Sequence, residues 1–178
     1  GIEIFDADLT ASPLSPEEIR RRCDDLGLRI ELFQPFRDGD GLPPEQARMT
    51  LRRFSQKLEL MDRLGVRDVL VCSNVSPWAL DDIDLSAKQV AALGDLAADH
   101  GANVHFEALA WGTHVNRFQQ AWEIVRRADR DNVFVTLDTF HLLSRGDDAS
   151  ALDAVPSGRI GFVQIADAPT RHENLLSW

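Results

Sequence analysis

The feature that most constrains this chain is a strict alternation of short, apolar, β-rich runs with longer stretches of helical period. Six runs read as strands: Ile2 to Phe5, Leu28 to Phe33, Asp68 to Ser73, Val104 to Leu109, Val133 to Asp138 and Ile160 to Ile165. Between them Ser15 to Leu26, Pro44 to Leu64, Ser86 to His100 and Arg117 to Ala128 carry apolar residues at helical spacing, and a shorter helix is expected over Asp148 to Val155. Local signals agree with this division. Ser15, followed by Pro16 and two glutamates, is a helix start, and Gly27, Gly65 and Gly101 each follow a helical segment where a left-handed cap is needed.

Strand, helix, strand repeated throughout implies parallel strands joined by right-handed crossovers, either in an open doubly wound sheet or in a closed barrel. No G-x-G-x-x-G follows the first run, which weakens an open dinucleotide-binding sheet. Acidic and amide residues instead fall at the ends of several different strands, as in a (β/α)₈ TIM barrel, whose chemistry gathers at the carboxyl ends of its strands. The expected fold class is therefore α/β, a (β/α)₈ barrel present as about six βα units. A full barrel takes about 250 residues. Residues 1–178 are accordingly expected to be one barrel domain that lacks its first βα unit and its last strand or two. The Gly-, Pro- and Asp-rich stretch Gln34 to Pro44 is the longest irregular segment and is expected to be an active-site loop.

Composition narrows the function classes. With 19 basic against 29 acidic residues the net charge is -10, which weighs against nucleic acid and anionic lipid as partners. Cys23 and Cys72 are the only cysteines, far apart and in no C-x-x-C pair, which fits a reducing compartment, and a cytoplasmic location is expected. No apolar run approaches the roughly 20 residues of a membrane helix. Neither a G-x-S-x-G elbow nor a phosphate-cradling G-x-x-x-x-G-K-S is present, so serine-hydrolase and P-loop chemistries lack support.

Three polar residues stand where an apolar strand should be buried on both faces. Glu107 interrupts Val104-His105-Phe106-Glu107-Ala108-Leu109, Asp138 ends Val133-Phe134-Val135-Thr136-Leu137-Asp138, and Gln164 lies within Phe162-Val163-Gln164-Ile165. They are one βα unit apart, so a barrel sets them side by side around its carboxyl-end rim. An unpaired buried charge is costly and a cation would neutralise the cluster. All-oxygen ligation suits a divalent cation such as Mg²⁺, Mn²⁺ or Co²⁺ better than a structural zinc site. The bland alternative is that each carboxylate caps a helix or pairs with an arginine.

His141, three residues beyond Asp138, places an imidazole above that cluster where it can move a proton at neutral pH; otherwise it is a helix-start residue bonded to backbone. His114 and Asn116, in the loop after the strand that carries Glu107, are placed similarly and are candidate substrate-binding residues. Arg37 could clamp a substrate carboxylate, or else form a salt bridge to Asp38 or Asp40. Trp78, Trp111, Phe36 and Phe140 are expected to wall a small-molecule pocket, although core packing is the commoner use of an aromatic. His100 and His105 are expected to be structural, and His172 has no assigned role.

Taken together, Phe33-Gln34-Pro35-Phe36-Arg37-Asp38, Phe106-Glu107-Ala108-Leu109-Ala110-Trp111-Gly112, His114-Val115-Asn116, Leu137-Asp138-Thr139-Phe140-His141 and Val163-Gln164-Ile165-Ala166-Asp167-Ala168-Pro169 make the chain resemble the xylose-isomerase-like superfamily, and within it the bacterial 3-dehydroshikimate dehydratases. The resemblance runs from Gly1 to Trp178. It implies that Glu107, Asp138 and Gln164 are three of four metal ligands, the fourth being a glutamate on a strand after Trp178. It implies dehydration of 3-dehydroshikimate to protocatechuate through a metal-stabilised enolate, with His141 as the acid-base residue and Arg37 on the substrate carboxylate. Some members carry a dioxygenase-like domain at the carboxyl end. Sugar or inositol isomerisation, epimerisation or dehydration on the same metal is the alternative chemistry, and an inactive barrel used for binding is the alternative from another class.

Overall fold

A computed structural model describes residues 1–167; His172 and the Ala168-Pro169 end of the last quoted motif lie outside them. The element order is β1 (Ile2–Phe5), α1 (Asp6–Ala11), α2 (Pro16–Asp25), β2 (Ile30–Phe36), α3 (Pro44–Leu64), β3 (Asp68–Cys72), α4 (Ile83–Asp99), β4 (Asn103–Glu107), α5 (Phe118–Ala128), β5 (Val133–Asp138), α6 (Thr139–Ser144) and β6 (Ile160–Gln164). All neighbouring strands pair in parallel, and their spatial order is their order in sequence. That order decides between the two candidate architectures, because a doubly wound sheet must reverse direction at a switch point and this one never does. The six strands form a half-barrel with the helices outside it.

Parity along each strand divides the interior in two. On the helix side, Phe33, Val69, Val71, Val104, Phe106, Val133 and Val135 are at most 3% exposed and join Phe54, Leu58 and Met61 of α3 and Ile124 and Val125 of α5 in the main core. On the opposite side, Leu32, Leu70, Cys72 and Leu109 form a separate small cluster with Trp111 and Phe162 against it.

The expected punctuation is present where side-chain chemistry alone decides it. Ser15 accepts from the Glu18 amide while the Glu18 carboxylate accepts from the Ser15 amide at 2.8 Å, a reciprocal cap that opens α2. Gly65 closes α3 at φ 72°. Three boundaries differ from expectation by three residues. β2 continues through Pro35 and Phe36, so the loop begins at Arg37 rather than Gln34. α4 starts at Ile83, because the Asp82 carboxylate caps the Leu85 amide at 2.9 Å. The helix expected over Asp148 to Val155 is only a 3₁₀ turn at Ala149–Leu152, opened by the Asp148 carboxylate accepting from the Ser150 amide at 2.8 Å. The short helix α1 was not expected, and α6 only as the alternative that made His141 a helix-start residue; six residues are too few to show a period.

Candidate active site

The inward-facing residues near the carboxyl ends of the strands surround a cavity of about 450 Å³. β4 brings Glu107 to its floor and β5 brings Asp138 beside it, each strand presenting alternate residues inward. Asp138 accepts from the Phe140 amide at 2.7 Å, which starts α6 and turns His141 back over the strand end. His141 Nε2 then lies 3.9 Å from Glu107 Oε2 and 3.8 Å from Asp138 Oδ2. One donor atom from each of Glu107, Asp138 and His141 falls within 4.8 Å of the others. Asp138 therefore caps a helix, the bland alternative, and joins the cluster at the same time.

Electrostatics at this point are unfavourable for the bare acids. Glu107 is 3% exposed, and burial, reinforced by the Asp138 charge and by Glu3, pushes its carboxyl up to about 8. Its Oε1 is buried with no hydrogen-bond partner among the described residues, and its Oε2 has only the Cys72 thiol at 3.6 Å. Burial also lowers the pKa of His141. The Ala110 amide donates to His141 Nδ1 at 3.1 Å, so the neutral ring carries its proton on Nε2, the nitrogen turned toward the carboxylates. The edge of that ring meets Trp111 at 4.9 Å between centroids, and Phe140 packs against both.

Gln164 lines the same cavity from β6, and its amide nitrogen donates to Glu3 at 2.7 Å. Glu3 also accepts from Gln34. Sequence reasoning passed over Glu3, although Ile2-Glu3-Ile4-Phe5 carries the signal that exposed Glu107: a carboxylate alternating with apolar residues in a strand. Arg37 is exposed at the cavity edge. Among the described residues it has no ion-pair partner, so the alternative salt bridge to Asp38 or Asp40 does not form, and its charge acts instead on Glu107 and Cys72.

His114 and Asn116 are not brought to the cavity. His114 Nε2 is 3.0 Å from the Ala79 carbonyl, and Asn116 donates to the Gly112 carbonyl at 3.0 Å, both bracing the loop after β4. Of the four aromatics expected to wall the pocket, Trp111 lines it and Phe140 backs Trp111. Phe36 is instead buried against Phe54 on the helix side, and Trp78 is 66% exposed. His105 pairs with Asp68 and His100 with Asp62, both structural as expected.

A cavity holding three carboxylates against one arginine could hold a cation. Two carboxylates and an amide oxygen suit a divalent ion, and the orphaned Glu107 Oε1 is the kind of atom that such an ion satisfies. No helix among the described residues is long and apolar enough to cross a membrane.

Comparison with known proteins agrees with the fold. A 3-dehydroshikimate dehydratase of Pseudomonas putida is 46% identical over 178 residues, covering all of this chain and 28% of that protein. The chain thus spans under a third of that relative's length. A solved xylose isomerase-like TIM barrel/4-hydroxyphenylpyruvate dioxygenase fusion protein superposes with a TM-score of 0.96 at 46% identity, over all of this chain and 29% of that one. A structure described as IOLI protein with a binding zinc atom superposes with a TM-score of 0.82 at 23% identity, over 93% of this chain and 62% of that one, a likeness of fold. Residues 1–177 match the family described as xylose isomerase-like TIM barrel, and with the sequential parallel strands and the polar cluster at their carboxyl ends, the chain belongs to that family.

Proposed function

We propose that this chain supplies the metal-binding face of an enzyme that dehydrates 3-dehydroshikimate to protocatechuate. The observation that carries the reading is the convergence of Glu107, Asp138 and His141 within 4.8 Å on the floor of a cavity with Arg37 at its edge. The 46% identity to a protein named for that activity points the same way.

In this reading Glu107 and Asp138 hold a divalent cation, with Mg²⁺, Mn²⁺ or Co²⁺ as candidates. Gln164 joins them through its carbonyl oxygen, since its amide nitrogen is engaged by Glu3. When bound, the cation supplies a Lewis acid for the C3 carbonyl of the substrate and offsets the negative charge that develops there. Arg37 pairs with the substrate carboxylate, which the three acids would otherwise repel. His141 presents Nε2–H to an oxygen of the substrate. Taking a proton from carbon at Nε2 would need a proton on Nδ1 instead, against the Ala110 amide, so the observed geometry favours assisting departure of the hydroxyl. Trp111 and Phe140 keep water from that ring. The proton lost from the carbon beside the C3 carbonyl leaves with the departing hydroxyl as one water, and enolisation of the resulting dienone completes aromatisation. The fusion found in the solved relative also supports a dioxygenase-like partner domain in the full-length protein.

The test is formation of protocatechuate, followed by its ultraviolet absorbance, with full-length protein in each of the three metals, with EDTA, and as Glu107→Ala. Metal-dependent product that disappears in the variant is expected. No product with any metal refutes the reading and turns the choice to a sugar or inositol substrate.

A further inference from the structure

The loop that carries Arg37 is fastened by an unusual device. Asp40 is 2% exposed, although it lies in a Gly- and Asp-rich loop where an acid would ordinarily face water. Its Oδ1 accepts from the Asn74 amide at 2.8 Å, its Oδ2 accepts from the Ser86 hydroxyl at 3.2 Å, and its main-chain carbonyl accepts from the Asn74 side chain at 2.8 Å. One residue thereby ties the loop after β2 to the loop after β3 and to α4. Adjacent residues extend the fastening: the Gly41 carbonyl accepts from Leu80 at 2.8 Å, and both main-chain groups of Leu42 bond the Gln89 side chain. The chain also lies too close for side chains here. A Cβ on Gly39 would strike Val71, and Gly41, at φ 60°, would place one 2.9 Å from the Leu80 carbonyl.

Arg37 stands three residues before this clamp, exposed, with no ion-pair partner among the described residues to aim it. Its direction is therefore set by its backbone, and that backbone leads directly into the anchored turn. We propose that Asp40 is a positioning residue that holds the Arg37 loop so that the guanidinium faces the cavity, and hence sets affinity for the substrate's carboxylate. The inference rests on the reading of Arg37 as the carboxylate-binding group. Burial raises the Asp40 carboxyl to about 6, with Asp38 in the same loop adding to the rise and His114 from the loop after β4 opposing it. A carboxylate kept under those conditions is anchored for geometry, and an asparagine, which can reach the same two partners, should replace it.

The test uses Asp40→Ala, Asp40→Asn, Arg37→Ala and the Asp40→Ala/Arg37→Ala double variant of the full-length protein. In Asp40→Ala, amide exchange in residues 38–42 and at Asn74 should accelerate tenfold or more, and KM should rise about tenfold with kcat within twofold. Asp40→Asn should restore both, and the double variant should have the KM of Arg37→Ala alone. Unchanged exchange in Asp40→Ala, or KM effects that multiply in the double variant, would overturn the proposal. If Arg37→Ala leaves KM unaltered while exchange responds as stated, the clamp stands and the Arg37 assignment is what fails, which also overturns the affinity role given to Asp40.

Discussion

The raised pKa of Glu107 predicts how many protons leave when a cation arrives. In the absence of metal its carboxyl titrates near 8, because it is 3% exposed and lies beside Asp138 and Glu3. A metal ligand must be deprotonated, so binding displaces whatever proton the carboxyl holds. At pH 7, one unit below that value, the group is ~0.9 protonated, and at pH 9 it is ~0.1 protonated. Burial lowers the pKa of His141, which works against any contribution from that ring. Calorimetric titration of Mn²⁺ or Co²⁺ into EDTA-stripped protein, in two buffers of different ionisation enthalpy, should therefore give ~0.9 proton released per metal at pH 7 and ~0.1 at pH 9. Apparent affinity should weaken about tenfold per pH unit below pH 7 for the same reason. Glu107→Gln removes the titrating group and should abolish the release. Near-zero release at pH 7, or the same release in the Gln variant, would refute a buried protonated Glu107 as the group displaced.

Two further outcomes follow from groups outside the cluster. Asp40 has a carboxyl raised from 3.8 to about 6, so its stabilising neutral form is fully present below pH 3.8 and is lost as pH rises through 6. Asp40→Asn should then be the more stable protein at pH 8 by up to about 3 kcal/mol, with the gap shrinking toward pH 4, measured by urea unfolding at both pH values. Gly112 leaves no room for a side chain: a Cβ there would meet the Val115 carbonyl and lie 2.7 Å from Ser73 Oγ. Gly112→Ala should cost about 2 to 3 kcal/mol in the same assay and disturb the neighbouring Trp111, which a change in indole fluorescence would report.

The strand and helix order was legible because each strand is a compact apolar run and each long helix covers several turns. Glu107 and Asp138 were legible because a carboxylate inside such a run must find a cap, a counter-charge or a cation to be kept there. Glu3 satisfies the same test but sits in a four-residue strand, too short for the interruption to stand out. Phe36 was expected at the mouth; three more residues of β2 put it on the helix side instead, against Phe54. His114 and Asn116 lie in a loop, where direction depends on which carbonyls the loop itself must satisfy, and no period in the sequence reports that. Asp40 was legible only as a possible partner of Arg37, because its burial arises from two loops and a helix distant in sequence meeting around it.

The division of the interior by strand parity has a consequence for how such a chain changes over generations. On β4, Val104 and Phe106 are packed among the helices, whereas His105 and Glu107 face the barrel interior. On β5, Val135 belongs to the first group and Thr136 and Asp138 to the second. Substitutions in the two sets touch different neighbours and so draw on separate stores of tolerance. Selection can exchange the inward residues for another substrate while the helix-facing ones hold the wall in place, and heritable variation at neighbouring codons of one strand is thereby sorted between new chemistry and preserved architecture.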